Sequence, residues 1–134
     1  MDVAPANLTG HYKRSKYEGA VAALKMADEG LPVVVVNPTD PIRPWDVKPT
    51  PTGRIVLDFL KRTLPVYINT GMTVVDVEDV ALGHVLALQK GTPGPRYIMG
   101  NRNVELNEIL TTLEAITGRQ SPRFKVPILP VMAL

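Results

Sequence analysis

Hydrophobic positions along the chain recur with two different periods and divide it into alternating helices and strands. From Tyr12 to about Glu29, Ala20, Ala23, Leu24 and Ala27 form an apolar stripe at helical spacing. Gly30 is placed to end that helix, since glycine adopts a left-handed cap conformation without a Cβ penalty. After Leu31-Pro32, the run Val33-Val34-Val35-Val36 predicts a strand. Four β-branched residues without alternation predict cover on both faces, as in a parallel sheet. Helix, short loop and buried strand make half of a βαβ unit. Asn37 to Thr52 reads as a loop stiffened by Pro38, Pro41, Pro44, Pro49 and Pro51, with the one tryptophan, Trp45, inside it. A stiff loop after a buried strand of an α/β fold suits a binding site, and it serves equally as a plain connector.

The second half repeats the alternation. A helix is predicted from Thr52-Gly53 to about Thr63, with Ile55, Val56, Phe59 and Leu60 inward. Val66-Tyr67-Ile68 and Met72-Thr73-Val74-Val75 read as short strands around Asn69-Thr70-Gly71. Asp76 to Gln89 reads as a helix with Asp76 as N-cap, and Glu78 and Asp79 at the positive end of its dipole. Gly91 to Pro95 is a turn and Arg96 to Met99 a strand. Leu106 to Thr117 is a helix with Leu106, Ile109, Leu110, Leu113 and Ile116 on one face, ended by Gly118. The apolar tail from Val126 to Leu134 has no polar ending, from which a chain cut short at its C-terminus is expected.

Composition narrows the function classes. The chain of 134 residues is the size of one domain, and its 45% hydrophobic and 21% charged residues suit a globular protein. Cysteine is absent, which removes disulfides and thiol catalysis, and the two histidines, His11 and His84, make a transition-metal site unexpected. The net charge of +2 is scattered among acids, without the basic runs that mark nucleic-acid binding. No apolar run reaches the roughly 18 residues of a membrane span, and the N-terminus lacks a signal-peptide pattern, so a cytoplasmic location is expected.

The sharpest candidate chemistry is Tyr12 with Lys16. Side chains four apart lie on one face of a helix. A cation beside a phenol favours the phenolate and suits the tyrosine to acid/base work near neutral pH. The spacing is that of the catalytic Tyr-x-x-x-Lys of short-chain dehydrogenases/reductases. The pair is short enough to arise by chance, so its setting matters: a helix, then a buried strand, then Asn37-Pro38-Thr39.

That setting resembles the extended short-chain dehydrogenase/reductase family of NAD-dependent epimerases and dehydratases. The resemblance runs through His11 to Lys16 and Val33 to Thr39. It continues through Asp46-Val47-Lys48-Pro49-Thr50-Pro51-Thr52-Gly53-Arg54, Tyr67 to Gly71, Val75 to His84, and Arg96 to Gly100. These stretches, in the family's order from about residue 10 to about 127, look most like hopanoid-associated sugar epimerases and dihydroflavonol reductases. The resemblance implies the C-terminal part of a Rossmann-type parallel sheet with a small α/β substrate-binding subdomain. Residues 1–40 would be the last part of the nucleotide-binding domain. Residues 41–134 would mainly form the substrate-binding region, with a return strand near 72–77.

The resemblance also implies roles. Tyr12 would be the general acid/base. Lys16 would hold the nicotinamide ribose of NAD or NADP and support Tyr12. Pro38 and Thr39 would line the nicotinamide pocket. Arg43, Trp45 and Lys48 would face a sugar nucleotide or similar hydroxyl or carbonyl substrate, although Arg43 and Lys48 also read as solvated loop charges. Asp76, Glu78 and Asp79 read as helix-capping groups. A homodimer is implied for the complete protein.

Departures from the pattern carry expectations of their own. No Gly-x-x-Gly-x-x-Gly occurs in the 134 residues. The nearest run, Gly91-Thr92-Pro93-Gly94, precedes a strand and carries proline where a pyrophosphate would need N–H groups. The upstream catalytic Ser or Thr of the family is not present either, and Thr9 does not replace it. Arg43 stands where the pattern has glycine. The chain alone is therefore expected to be inactive, as a piece of a larger enzyme. A non-catalytic remnant, or a dimerisation or interaction module, is the alternative.

Overall fold

The computed structural model describes residues 10–127. They fall into two compact units. One is built from the N-terminal stretch up to Asn37 together with Leu82–Ile98, and the other from Pro38–Ala81 with the stretch from Met99 onward. The architecture is mixed α/β with parallel strand pairs.

In the first unit, helix α1 spans His11–Asp28 and ends at Glu29, with Gly30 in the left-handed region at φ 97°. Ala20, Ala23, Leu24 and Ala27 are half-buried, so the predicted stripe is the covered face, yet no residue of α1 is fully buried. Strand β1 spans Val35–Pro38, two residues later than the valine run predicts. Val33 stays outside it, with its carbonyl accepting from Gly94 N at 3.2 Å. The four valines are half-buried, not covered on both faces as expected. β1 pairs with a strand at Arg96–Met99. The unit's buried apolar residue is Ala87, on the helix Val77–Lys90. Gly91 ends that helix where a Cβ would press on the Ala87 carbonyl and on Val34 Cγ1.

The second unit corrects the loop reading. Inside the proline-dense stretch lies a strand, β2 (Asp40–Ile42), which pairs in parallel with β4 (Gly71–Asp76) in the register Asp40↔Val74 and Ile42↔Asp76. Pro41 is tolerated because β2 is an edge strand and needs no outward N–H. Helix α2 is Pro51–Leu60, not Thr52 to Thr63. Thr50 is its N-cap and Pro51 opens the first turn, the usual place for proline. Phe59 is buried at its inner face, with Ile55, Val56 and Leu60 half-buried. β3 is Val66–Tyr67, with Ile68 outside it.

The elements after β4 follow in order. α3 is Val77–Lys90, and Asp76 Oδ1 accepts from Glu78 N at 2.7 Å, the N-cap bond expected of it. β5 is Arg96–Met99 and β6, which has no clear apolar signature, is Arg102–Glu105. β6 pairs antiparallel with β4, so the sheet order is β2-β4-β6. α4 is Leu106–Thr117, as predicted, ended by Gly118 at φ 67°. Leu110 is its buried anchor, but Ile116 is 75% exposed rather than inward. A further unpredicted strand, β7 (Phe124–Lys125), pairs in parallel with β3. Phe59, Val75, Val80, Val104 and Leu110 form the core of this unit. The tail reading from Ile128 onward lies outside the described residues.

Candidate functional site

Tyr12 and Lys16 share the first turns of α1. Lys16 Nζ stands 5.7 Å from the centroid of the Tyr12 ring, a cation–π distance, and Tyr12 is 73% exposed. Ser15 Oγ donates to the Tyr12 carbonyl at 3.0 Å. The helical spacing thus brings the two predicted catalytic side chains together on an open face.

Pro38 closes β1, and Thr39 follows it in the second unit. Thr39 N and Oγ1 both donate to the Met99 carbonyl, at 3.0 and 3.1 Å. That pair of bonds fixes the hydroxyl and leaves its lone pairs free to accept. Gly100 has no room for a side chain against Thr39 and Thr73.

Of the predicted substrate-facing residues, Arg43 lines a cleft of about 410 Å³ at the N-terminus of α2, whereas Trp45 and Lys48 are exposed and not among its walls. Pro41, Ile42, Val56 and Leu57 make the apolar walls, and Arg43, Asp46, Thr50 and Asp76 supply the polar groups. Trp45 has φ 65°, a left-handed conformation unusual for a bulky residue.

Asp46 was not singled out from the sequence, and it organises the cleft. Its Oδ2 accepts from both Thr50 N and Thr50 Oγ1 at 2.8 Å. Thr50 Oγ1 in turn accepts from Gly53 N at 3.2 Å, and Gly53 has no room for a Cβ beside the Asp46 carboxylate. The bonds from the Thr50 backbone and hydroxyl, with the Arg43 charge adding to them, hold the Asp46 pKa below the usual carboxylate range. The legible signal was Asp-x-x-x-Thr-Pro before an apolar helical stripe, which is an N-terminus signature. Among the described residues, no group of three or more His, Asp or Glu is placed to hold a metal ion, and no helix is long and apolar enough to cross a membrane.

No protein-family model matches the chain. A dihydroflavonol 4-reductase-like protein of Synechocystis is 51% identical over 125 residues, which are 90% of this chain and 36% of that protein. A nucleoside-diphosphate-sugar epimerase from Pseudomonas aeruginosa superposes with a TM-score of 0.87 at 23% identity, over 99% of this chain and 43% of that one. The Bordetella bronchiseptica enzyme WbmF, solved with NAD+, superposes with a TM-score of 0.76 at 23% identity, over 94% of this chain and 44% of that one. At that identity the two structures speak for the fold. The homologues and structural neighbours are NAD-dependent epimerase/dehydratase-type proteins on a Rossmann-like scaffold. In sequence and fold the chain is similar to extended short-chain dehydrogenase/reductase proteins, and it spans a little over a third of the length of the Synechocystis relative.

Proposed function

We propose that the chain carries the acid/base helix and much of the substrate-binding region of an NAD(P)-dependent epimerase, dehydratase or reductase acting on a sugar nucleotide or similar hydroxyl compound. The observation that supports this best is the Tyr12–Lys16 pair, joined at 5.7 Å on an exposed helix face, in a sequence 51% identical to a reductase-like protein. Tyr12 moves the proton on a substrate hydroxyl or carbonyl oxygen. Lys16 sets its positive charge beside the Tyr12 ring and would hold a ribose hydroxyl through its ammonium donors.

Each unit, taken by itself, carries side chains of the kind that hold a nicotinamide ribose. Within the first unit Lys16 offers ammonium donors, and within the second Thr39 Oγ1, tied to Met99, offers lone pairs. A nicotinamide cofactor, when bound, would supply hydride acceptance and return. No glycine-rich phosphate loop occurs within the 134 residues, so the chain by itself binds no dinucleotide tightly and turns nothing over. Arg43, Trp45 and Lys48 meet the substrate. The chemistry of the whole protein is that of a cytoplasmic enzyme acting as a homodimer.

The test is Tyr12→Phe and Lys16→Ala in the protein as its gene encodes it, assayed with NAD+ or NADP+ against a panel of nucleotide sugars. Tyr12→Phe should abolish turnover while the protein stays folded. A Tyr12→Phe protein with native turnover sinks the assignment. For the 134-residue chain, saturable quenching of NADH fluorescence at micromolar protein would contradict the expected lack of binding.

A second reading, a pairing module, draws support from apolar exposure in the first unit. Val21 and Met26 on α1 and Leu82, Val85 and Leu88 on α3 are all more than 40% exposed. A well-folded oligomer from the isolated chain, with no cofactor affinity, would favour it.

A further inference from the structure

One carboxylate oxygen in the second unit is unexplained by capping. Asp46 Oδ2 is fully used by Thr50, but Asp46 Oδ1 is buried and accepts no hydrogen bond among the described residues. Leaving a buried carboxylate oxygen unpaired is costly, so a fold keeps one only where something compensates. The charge facing Oδ1 is Arg43 Nη2, at 4.0 Å, close enough to attract and too far for a direct bond. The Asp46 side chain is 13% exposed and the Arg43 side chain 48%, so one partner is fixed and the other faces solvent.

The same carboxylate braces a strained reversal. Val47 N donates to the Trp45 carbonyl at 2.8 Å, a three-residue turn centred on Asp46, and Trp45 sits at φ 65°. A left-handed bulky residue persists only where its surroundings over-determine it. Here the surroundings are Asp46, tied by two bonds to the first turn of α2, and Gly53, whose missing Cβ makes space for that carboxylate. Arg43 and Trp45 flank this anchor on one side of the turn and Lys48 on the other.

We propose that Asp46 is a positioning residue for substrate binding: its Oδ1 charge holds the Arg43 guanidinium at the mouth of the cleft, and its Oδ2 bonds to Thr50 hold the turn that presents Trp45. The proposal rests on the reading that this loop meets substrate. Asp46 itself touches no substrate and acts through Arg43 and the turn. The other titratable group of the cleft is Asp76, whose Oδ1 already caps α3.

Asp46→Asn separates charge from scaffold. An asparagine oxygen still accepts from Thr50 N and Oγ1, while its NH2 group turns a donor toward the Arg43 donors and drives the guanidinium away. The first readout is NMR of the full chain, using the Arg43 Nε–H signal and the indole N–H of the one tryptophan. The expected result is a shifted Arg43 Nε–H signal with faster side-chain motion, at an unchanged Thr50 amide signal. The second readout is turnover by the protein as its gene encodes it. Here Asp46→Asn and Arg43→Ala each raise KM about tenfold with kcat unchanged, and the double variant is no worse than either alone. Native Arg43 and Trp45 signals in Asp46→Asn, or an unmoved KM, overturn the proposal. A Tyr12→Phe variant that still turns over overturns the catalytic reading instead, so the two failures are distinct.

Discussion

Replacing Asn69 by alanine removes a helix cap supplied from outside the helix. Residue Glu105 stands at the N-cap of α4 and makes no side-chain capping bond. The first orphan donors of α4 are satisfied by the β3–β4 loop instead. Leu106 N donates to the Thr70 carbonyl at 3.0 Å, and Asn107 N donates to Asn69 Oδ1 at 3.0 Å. Asn69 Nδ2 also donates to Glu105 Oε2 at 2.6 Å, and Tyr67 Oη donates to Asn107 Oδ1 at 3.0 Å. Loss of a capping side chain costs about 1 kcal/mol, and the exposed bond to the Glu105 carboxylate adds a few tenths. Asn69→Ala should therefore destabilise the chain by about 1–2 kcal/mol, or a drop in Tm of roughly 3–8 °C. Thermal unfolding by circular dichroism reads the total, and amide exchange at Asn107 reads the location. Asn69→Asp is the signed control. Its carboxylate still caps Asn107 N but turns a second oxygen toward the Glu105 carboxylate, so it is less stable than native near pH 7. An Asn69→Ala chain that melts within about 0.3 kcal/mol of native, or an Asn107 amide whose exchange is unmoved, refutes the trans-capping argument.

Leu110 is 1% exposed on the inner face of α4, and Leu110→Ala should cost about 2–5 kcal/mol in chemical denaturation. A loss under about 1 kcal/mol would mean the core of the second unit collapses around the gap. Trp45→Gly relieves the left-handed backbone strain at φ 65° and should stabilise the fold by roughly 1 kcal/mol, while an unchanged or lower Tm would show the turn to be unstrained. Asp46 and Glu114 have depressed pKa values, Asp46 through Thr50 and Arg43, Glu114 through Ser121 and Arg123. Both carboxylates therefore add stability above the ordinary carboxylate range that is lost as pH falls through their lower folded values. Asp46→Asn with Glu114→Gln should flatten the acid limb of the stability–pH curve, and a limb of native steepness would count against this.

Local chemistry wrote much of this protein legibly. The α1 stripe, the Gly30 and Gly118 stops, the Asp76 cap and the face of α4 through Leu110 all follow from interactions within a few residues. So does the meeting of Tyr12 and Lys16, because helical spacing alone stacks side chains four apart. The order of motifs, too, pointed to the family from the sequence. Pairing between distant segments was not written locally. β2 and β7 carry prolines or a charge where a strand signal needs alternation, and they exist because β4 and β3 offer partners in parallel. β6 takes its identity from β4 in the same way. The valine run looked covered on both faces because its hydrophobicity is uniform, but burial depends on what packs against it, and Val33–Val36 are half-buried.

The candidate site divides along the same line. The sequence by itself determined which residue types are available: a Tyr/Lys pair, Thr39 after the strand, and Arg43, Trp45 and Lys48 in one loop. Only the tertiary structure decided that Thr39 is tied to Met99, that half-buried Asp46 anchors the loop, and that Asn69 caps α4 through Asn107, 38 residues along the chain. Such contacts depend on long-range closure. Local propensity cannot encode them, because each becomes favourable only once the elements on either side have been brought together.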